Sequence, residues 1–403
     1  MSAAPFGPVL ISGGGIGGLA AALALARIGR EVIVAEQRAE WSEAGAGIQL
    51  SPNGVAVLER LGMAADLEPS AGRPREIVVR EGRSARVLQK LPLGDWIAAR
   101  HGRPYWQVHR RDLQAALVSR AEAEPRITIV KAFEAASFEI ENHGLRLREK
   151  QGRTCDGSVL VGADGVFSRV RQQLFAPKAP VFAGRTAART VIPIERLAPG
   201  QTSVTSDATG VWLAPGAHIV HYPVRAGREV AVVVVRSEPW RAHGWSEPVP
   251  ASEIETAISH VAPALTQALG TGHDWRRWAL FESEPLPAWS KGCVTLLGDA
   301  AHPTLPFLAQ GGSLALEDAW TLASALARTI NHAEIPLALK TYEKARIERS
   351  RRVVAAARRN GTIFHLGGAA AMARNATMRL IPGERVMSGF DWVYGWSPDI
   401  AGA

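Results

Sequence analysis

Three glycines near the start of the sequence have the spacing of a phosphate-binding turn. Gly13, Gly15 and Gly18 form a G-x-G-x-x-G pattern between a short apolar run and a segment rich in Ala and Leu. In such a turn the first glycine permits a tight bend, the second lets the backbone approach a pyrophosphate, and the third lets a helix pack closely against a strand. Glu36 lies downstream at the distance typical of an acidic residue that binds a ribose diol. The pattern therefore predicts a dinucleotide site.

Two further carboxylates, Asp164 and Asp299, lie just beyond short apolar runs. Because ligands of parallel sheets bind at the carboxyl ends of strands, both are candidate ligand-binding groups. Taken alone, the Asp-Gly pair at Asp164 is also a turn signal, and a lone histidine such as His302 is more often structural than catalytic. Gly311 and Gly312 open a helical segment, so their N–H groups could face a polar ring or an anion.

A candidate substrate strand runs from His218 to Val224. Since side chains alternate along a strand, His218, Val220 and Tyr222 would share one face and His221 would face the other side. A histidine that titrates near neutrality can accept a proton from a ligand. The open alternative is that these side chains only pack a sheet.

The elements that would hold these groups begin with a β-α-β unit. Residues 8–12 and 31–36 predict buried strands, residues 19–28 predict a helix, and Gly29 stands where a helix cap is expected. Such a unit implies a parallel sheet with a right-handed crossover. Further strands are predicted over 127–130, 145–149, 158–163, 218–224, 230–235 and 294–297, and further helices over 112–123, 311–330 and 335–361.

This order of elements predicts an α/β fold in which a Rossmann-like nucleotide domain is interrupted by a sheet-rich insert. The nucleotide domain would comprise residues 1–75, 100–180 and 285–345. A mixed or antiparallel substrate sheet would comprise residues 76–99 and 181–284, and residues 346–403 would form a helical carboxyl-terminal part.

Composition excludes several other classes of protein. With 47% hydrophobic and 21% charged residues, the 403-residue chain can bury large cores, which excludes disorder and collagen. Its two cysteines, Cys155 and Cys293, cannot build a disulfide framework or a four-ligand zinc site, and so few in a long chain fit a reducing compartment. No metal-ligand cluster is apparent in the sequence, so no metal site is predicted.

The charge pattern favours a cytoplasmic protein that binds small ligands. No charged residue precedes Arg27, but a signal peptide would begin with a basic region, and the glycines would weaken a membrane span. The net charge is +8, and its densest run, 346–359, predicts the solvated side of a helix. No nucleic-acid module accompanies it, whereas a modest positive excess suits anionic small ligands.

Taken together, the motifs resemble those of the class A flavoprotein aromatic hydroxylases, the group of salicylate, 3-hydroxybenzoate 6- and 6-hydroxynicotinate 3-monooxygenases. The resemblance runs from Val9 to about His365. Besides the motifs above, it includes the segments 45–53, 109–113 and 212–218 and the pair Tyr342-Glu343.

The resemblance implies FAD as cofactor. The glycine turn would cradle its pyrophosphate, Glu36 would bind the adenosine ribose, Arg110 would reach the pyrophosphate or ribityl region, and Asp299 would bind the ribityl chain. Asp164 belongs to a motif shared between FAD and NAD(P)H handling. Ser42 departs from the arginine that many relatives carry there. The full implied cofactor set is Gly13, Gly15, Ile16, Gly18, Glu36, Gln49, Arg110, Asp164, Asp299, Gln310, Gly311 and Gly312.

The resemblance also implies the reaction and its catalytic residues. NADH or NADPH would reduce FAD, O2 would add at flavin C4a, and the hydroperoxide would hydroxylate a phenolic or hydroxypyridine carboxylic acid. His218 would take the phenolic proton, Tyr222 would orient the oxygen, and Pro306 with the backbone of 310–312 would flank the flavin ring. Because only one dinucleotide fingerprint is visible, NAD(P)H would bind transiently. The protein would be a monomer or a homodimer.

Two other functions remain open at this point. A flavin-dependent epoxidase or reductase acting on an apolar isoprenoid or a quinone-type substrate would use the same FAD motifs, and the mildly apolar segment 363–378 leaves lipid contact open. A non-catalytic flavin-binding protein is the other alternative.

Overall fold

A parallel sheet forms one layer of the computed structural model, which describes residues 6–41, 46–141, 144–197, 204, 206–240, 244–270 and 272–398. The strands of this sheet are β1 (Val9–Ser12), β2 (Val32–Ala35), β7 (Ile127–Val130), β11 (Val159–Gly162), β18 (Ser290–Lys291) and β19 (Val294–Leu296). Their spatial order is β18-β19-β11-β1-β2-β7, and the pairs are parallel except that of β18 with β19. The predicted α/β fold is therefore confirmed.

The predicted β-α-β unit at the start of the chain is also confirmed. Helix α1 (Ile16–Arg27) joins β1 to β2, and Gly29 has a φ of +82° just beyond the helix end. The helix begins three residues earlier than its Ala- and Leu-rich pattern predicted, because two glycines of the turn form its first turn. It packs against α9 (Gly311–Leu326) on one side and α5 (Arg110–Ala123) on the other.

The second large sheet is mixed, as predicted. Its strands are β4 (Glu76–Glu81), β5 (Val87–Pro92), β12 (Val181–Pro193), β13 (Ala208–Ala214), β14 (Ala217–Val224), β15 (Glu229–Ser237), β16 (Ser246–Pro248) and β17 (Arg276–Glu282). They lie in the order β16-β17-β12-β15-β14-β13-β4-β5, antiparallel except where β13 meets β4. One face carries Trp212, Ile219 and Val232 into a core shared with residues of α7 (Ala251–Ala257) and α8 (Pro263–Leu269).

Smaller elements connect the two sheets. Strands β3 (Gly47–Leu50) and β6 (Trp106–His109) form an antiparallel pair, and β8 (Ala135–Glu141), β9 (Gly144–Glu149) and β10 (Thr154–Gly157) form a meander. The remaining helices are α2 (Pro52–Arg60), α3 (Ala64–Leu67), α4 (Gly94–His101), α6 (Arg169–Phe175), α10 (Ile335–Phe364), α11 (Gly368–Leu380), α12 (Gly383–Ser388) and α13 (Asp391–Tyr394).

Two helices end at least three residues away from the predicted position. Helix α9 ends at Leu326 rather than at Ile330. The side chain of Arg30 donates hydrogen bonds to the carbonyls of Leu326 and Thr329, so these carbonyls have partners although the helix does not continue. Helix α10 continues to Phe364, beyond the predicted end at Gly361. Within the described part of the chain, no helix has the length and apolarity needed to cross a bilayer.

Candidate active site

A cavity of about 380 Å³ opens where the glycine turn meets the mixed sheet. It collects residues that are far apart in the sequence. The predicted site residues that line it are Gly15, Ile16, Gln49, Arg110, His218, Tyr222, Asp299, Pro306, Gly311 and Gly312. The other predicted residues, Gly13, Gly18, Glu36, Asp164 and Gln310, do not line it and instead hold the walls in place.

The glycine turn has the geometry that its sequence predicted. Gly13 has a φ of +111°, and a Cβ there would lie 2.5 Å from the carbonyl oxygen of Ala163. A Cβ on Gly18 would lie 1.9 Å from the carbonyl oxygen of Gly13, so only glycine allows this helix to pack so closely. Gly15 is the N-cap of α1 and has no atom within 4 Å of its would-be Cβ. The first and third glycines therefore shape the turn, and the second opens it to a ligand.

Glu36 lies beneath this turn rather than in the cavity. Its carboxylate is buried and accepts hydrogen bonds from the backbone N–H of Gly14 at 2.8 Å and of Arg38 at 2.9 Å. A carboxylate has about four lone-pair sites, so each oxygen keeps a site for a ribose hydroxyl. The predicted ribose contact stays a prediction, and Ser42 lies outside the described residues.

The side chain of Asp164 accepts hydrogen bonds from backbone groups at the start of α6. The carboxylate accepts the backbone N–H groups of Arg169 at 2.7 Å and Val170 at 3.2 Å, together with the hydroxyl of Ser168. Burial raises the pKa of this carboxyl, and these hydrogen bonds oppose the shift. Only its neighbours Ala163 and Gly165 line the cavity. These contacts agree with the interpretation of Asp164 as part of a turn. Its role in FAD or NAD(P)H handling stays a prediction.

Asp299 is a titratable carboxyl that faces the cavity. It follows Gly298, whose φ of +61° turns the chain at the end of β19. Packing of the protein around the carboxyl raises its pKa, while His302, Arg110 and Arg171 oppose the shift. Its predicted contact with the ribityl chain stays a prediction.

His302 holds this loop from below and does not line the cavity. Its Nε2 lies 2.5 Å from Oδ2 of Asp318, which also accepts the backbone N–H of Gly298 at 3.1 Å. Burial alone would raise the pKa of Asp318, but His302 and Arg346 lower it to about 2. The structural interpretation of His302 therefore agrees with its contacts.

Arg346 corrects the prediction that the run 346–359 is solvated. It is 1% exposed, its Nε donates a hydrogen bond to Asp318 at 2.7 Å, and its Nη1 forms an ion pair with Glu317 at 2.6 Å. The prediction failed because two adjacent buried carboxylates on α9 require a cation that the spacing along α10 does not reveal. Arg349 adds a second ion pair to Glu317.

Gln310 belongs to the same buried network. Its side chain donates to the hydroxyl of Ser51 at 2.8 Å and accepts from Asn53 at 3.0 Å, and Asn53 also donates to Glu317 at 2.5 Å. These bonds fix the start of α9, where Gly311 and Gly312 line the cavity. The side chain of Gln310 thus positions the backbone that the sequence predicted to flank a ring.

The far wall of the cavity is one face of the mixed sheet. In register, His218 lies opposite Val235, and Val220 lies opposite Val233, which in turn lies opposite Arg189. All five residues line the cavity. The predicted shared face of His218, Val220 and Tyr222 is therefore confirmed.

Tyr222 ties this wall to the cofactor side. Its hydroxyl donates to the carbonyl of Gly47 at 2.6 Å, and burial raises its pKa to about 12. The predicted role of orienting a substrate oxygen is thus limited to accepting a hydrogen bond, unless the bond to Gly47 breaks.

His221 faces the other side of the sheet, as predicted. Its Nε2 accepts a hydrogen bond from the indole of Trp212 at 3.0 Å, and its ring fills the space that a Cβ on Gly210 would need. Burial lowers its pKa to about 3. This histidine therefore packs and hydrogen-bonds the core behind the cavity.

Arg189 is a cavity residue that the sequence analysis missed. Its guanidinium lies 5.3 Å from the Trp278 ring, its Nε is buried without a hydrogen-bond partner, and it forms no ion pair with any described residue. Burial lowers its pKa. No local motif marks it, and only its placement opposite Val233 reveals it.

Known proteins share this architecture. The family described as FAD binding domain matches residues 7–357. The chain is 35% identical to the 3-hydroxybenzoate 6-hydroxylase of Polaromonas naphthalenivorans, over 97% of this chain and 96% of that protein. It is 34% identical to the 6-hydroxynicotinate 3-monooxygenase of Pseudomonas fluorescens, over 86% of this chain and 89% of that protein. The crystal structure of Klebsiella pneumoniae HpxO with FAD and uric acid is 28% identical, with a TM-score of 0.82 and 95% of each chain covered.

The chain therefore belongs to the class A family of FAD-dependent flavoprotein monooxygenases. It is an enzyme with FAD as cofactor, as the resemblance implied. The cavity fits that cofactor, because Gly15 leaves open space at the N-terminus of α1, where backbone N–H groups and the helix dipole favour phosphates. A second open glycine, Gly311, begins α9 at the other end of the same cavity.

Proposed function

We propose that this monooxygenase hydroxylates a phenolic or hydroxypyridine aromatic carboxylic acid, with NADH or NADPH as a transient co-substrate. The observation that carries the proposal is that one cavity wall presents both a cation without an ion-pair partner among the described residues, Arg189, and a histidine, His218. Bound FAD supplies the redox and oxygen chemistry, and the protein supplies binding and orientation.

The sheet register sets the distance between these two groups. Arg189 and His218 lie two strands and one side-chain repeat apart on the same face. With strands about 4.8 Å apart and a rise of about 3.4 Å per residue, their Cα atoms are separated by about 12 Å. The side chains of Arg189 and His218, with one substrate ring between them, can fill this distance. The substrate carboxylate would then lie at Arg189 and its hydroxyl at His218.

Each residue then has one task. Arg189 forms a charge-assisted hydrogen bond to the carboxylate, and such bonds contribute about 1.5–3 kcal/mol. His218 accepts the ring hydroxyl proton, which makes the ring more nucleophilic. Pro306 and the backbone at Gly311 and Gly312 shape the flavin side of the cavity.

A charged wall disfavours the alternative of a long apolar substrate. An isoprenoid would leave Arg189 buried without a counter-charge, which is costly. Uric acid, bound in the HpxO crystal structure, is a polar heterocycle without a carboxylate. A panel of acids, their neutral analogues and urate therefore separates the substrate classes.

The test measures oxygen consumption, NAD(P)H oxidation and hydroxylated product for 3-hydroxybenzoate and for 3-hydroxybenzyl alcohol. In Arg189→Met, the KM for the acid should rise about 10- to 100-fold while that for the alcohol changes little. Arg236→Met is the charge-matched control, since Arg236 lies on the same sheet and pairs with Glu238. An equal loss for the acid and the alcohol would remove Arg189 as the carboxylate contact.

We also propose the domain boundaries given above, a cytoplasmic location, and a monomeric or homodimeric state. Of the two large sheets, the parallel one draws its strands from residues 9–35, 127–162 and 290–296, and the mixed one from 76–92 and 181–282. This division supports a discontinuous FAD domain with an inserted substrate sheet.

A further inference from the structure

A second histidine lies directly behind His218. His365 is the residue that follows α10, and its Nε2 is 2.7 Å from Nδ1 of His218. Its carbonyl accepts the backbone N–H of Gly216, in the turn between β13 and β14. The family match ends at residue 357, so His218 lies within it and His365 lies beyond it.

The contact determines which nitrogen of His218 is free. Because Nδ1 is engaged with His365, Nε2 is the nitrogen that remains for a ligand in the cavity. A neutral histidine pair has two hydrogen-bond arrangements, and only the one in which Nδ1–H of His218 donates leaves Nε2 as a proton acceptor.

The two rings differ in where a positive charge can reside. His218 is 3% exposed and packs against Phe307 and Phe364, with ring centroids 5.4 and 5.3 Å away. Burial, His365 and Arg185 hold the pKa of His218 well below its ordinary value. His365 is only partly buried, and its pKa is lowered to about 4 by burial, Arg185 and Arg374. A charge on His365 is therefore closer to solvent than a charge on His218.

We propose that His365 is a positioning residue that takes the proton onward from His218. The proposal rests on the proposed function, in which His218 receives the proton of a ring hydroxyl. The substrate O–H bond breaks as an N–H bond forms at Nε2 of His218, and the Nδ1–H bond of His218 breaks as an N–H bond forms at Nε2 of His365. The products are a substrate oxyanion, a neutral His218 and a protonated His365, so charge is conserved.

The surroundings then favour release of that proton. The charged groups that face His365 are Arg185 on β12 and Arg374 on α11, and both disfavour its protonated form. Arg374 also donates to the carbonyls of Ile363 and Phe364, so it holds the end of α10 in place. Both guanidinium groups therefore favour loss of a proton from protonated His365. Its Nδ1 is buried and has no hydrogen-bond partner among the described residues, so a water molecule that reaches Nδ1 must accept this proton, which leaves the substrate as its oxyanion.

The first experiment uses FAD-loaded protein and 3-hydroxybenzoate as probe. In His365→Gln, the amide can still accept a hydrogen bond from His218 but cannot carry a proton. Product formation per bound flavin should fall about 10- to 100-fold, with KM nearly unchanged. The rate at which the absorbance of the bound phenolate appears after mixing should fall by a similar factor, because a relay changes how fast the proton leaves the substrate. A His365→Gln variant that forms the phenolate at the wild-type rate would overturn the proposal.

A rescue experiment tests proton transfer separately from folding. In His365→Ala, added imidazole should restore part of the lost rate, because a half-buried site can admit a small base. Restoration should track the fraction of imidazole present as free base. No rescue at any pH, in a variant with normal FAD content, would contradict the relay. The surface variant His273→Gln is the control and should behave as wild type, since His273 is exposed.

A third readout does not depend on the substrate. Nitrogen-15 NMR of the histidine rings in the FAD-loaded protein should show Nδ1 of His218 hydrogen-bonded, and this signal should shift in His365→Ala. If the signal is the same in both proteins, the pair does not form and the proposal fails. If no acid in the panel stimulates oxygen consumption by the wild type, the proposed function fails instead, and the NMR result is unaffected.

Discussion

The two ends of the cavity are built in different ways. At the cofactor end, Gly13, Gly15 and Gly18 belong to one turn between β1 and α1. At the substrate end, Arg189 and His218 come from different strands, and His365 comes from the end of α10. The first end depends on the local backbone, and the second depends on the pairing of distant strands. Substitutions at the two ends should therefore fail in different ways.

The largest expected effect is at the substrate end. His218→Asn should keep FAD content and substrate-stimulated NAD(P)H oxidation but lower the hydroxylation step by about 10²–10⁴-fold. Hydrogen peroxide should rise as product falls, because the ring is less nucleophilic. Product, peroxide and NAD(P)H are measured on the same sample.

His221→Asn is the matched control on the same strand. It should lower the free energy of unfolding through loss of the hydrogen bond to Trp212, with the product-to-NAD(P)H ratio unchanged. An unchanged ratio in His218→Asn, or loss of hydroxylation only in His221→Asn, would show that the catalytic assignment is wrong.

The next effect compares two glycines of one turn. Gly18→Ala should lower the free energy of unfolding by about 3 kcal/mol or more, because its Cβ would lie 1.9 Å from the carbonyl oxygen of Gly13. Gly15→Ala should change the stability of the FAD-free protein by less than about 1 kcal/mol but weaken FAD binding, since its Cβ would enter open cavity space. Urea unfolding and FAD titration check both. Equal effects on FAD-free stability would contradict the division of roles.

A smaller effect is expected where the two ends touch. Tyr222→Phe leaves the carbonyl of Gly47 without its hydroxyl donor, which should cost about 1–3 kcal/mol of unfolding free energy. If Tyr222 also accepts a hydrogen bond from the substrate, the KM for 3-hydroxybenzoate should rise as well. A changed stability with an unchanged KM would restrict Tyr222 to holding the wall.

The smallest effect is a pH dependence of stability at the substrate end. The pKa of His365 is about 4 in the folded protein and about 6.5 in an unfolded chain, so the unfolded state binds more protons between these values. The free energy of unfolding should therefore fall as the pH drops from about 6.5 to about 4. His365→Asn should remove on the order of 1 kcal/mol of this change, given the partial exposure of the ring. Urea unfolding from pH 7 to 4.5 measures it, and parallel curves for both proteins would exclude His365 as the source.

Local sequence patterns determined much of the fold. The glycine spacing, the apolar runs of β1 and β2 and the strand period at His218, Val220 and Tyr222 all specify structure over a few residues, and the structure confirms them. Such patterns are readable because backbone sterics and side-chain alternation act between near neighbours in the chain.

The tertiary structure alone decided which charges are buried and what they face. The sequence placed Arg346 on a solvated helix side and gave no signal for Arg189, whereas the fold buries the first against two carboxylates and points the second into the cavity. In the sequence, His365 only marks the end of the segment that resembles the family, whereas the fold places its ring against that of His218. The burial of a charge and its partner depend on which distant elements pair, and no spacing along one segment encodes that.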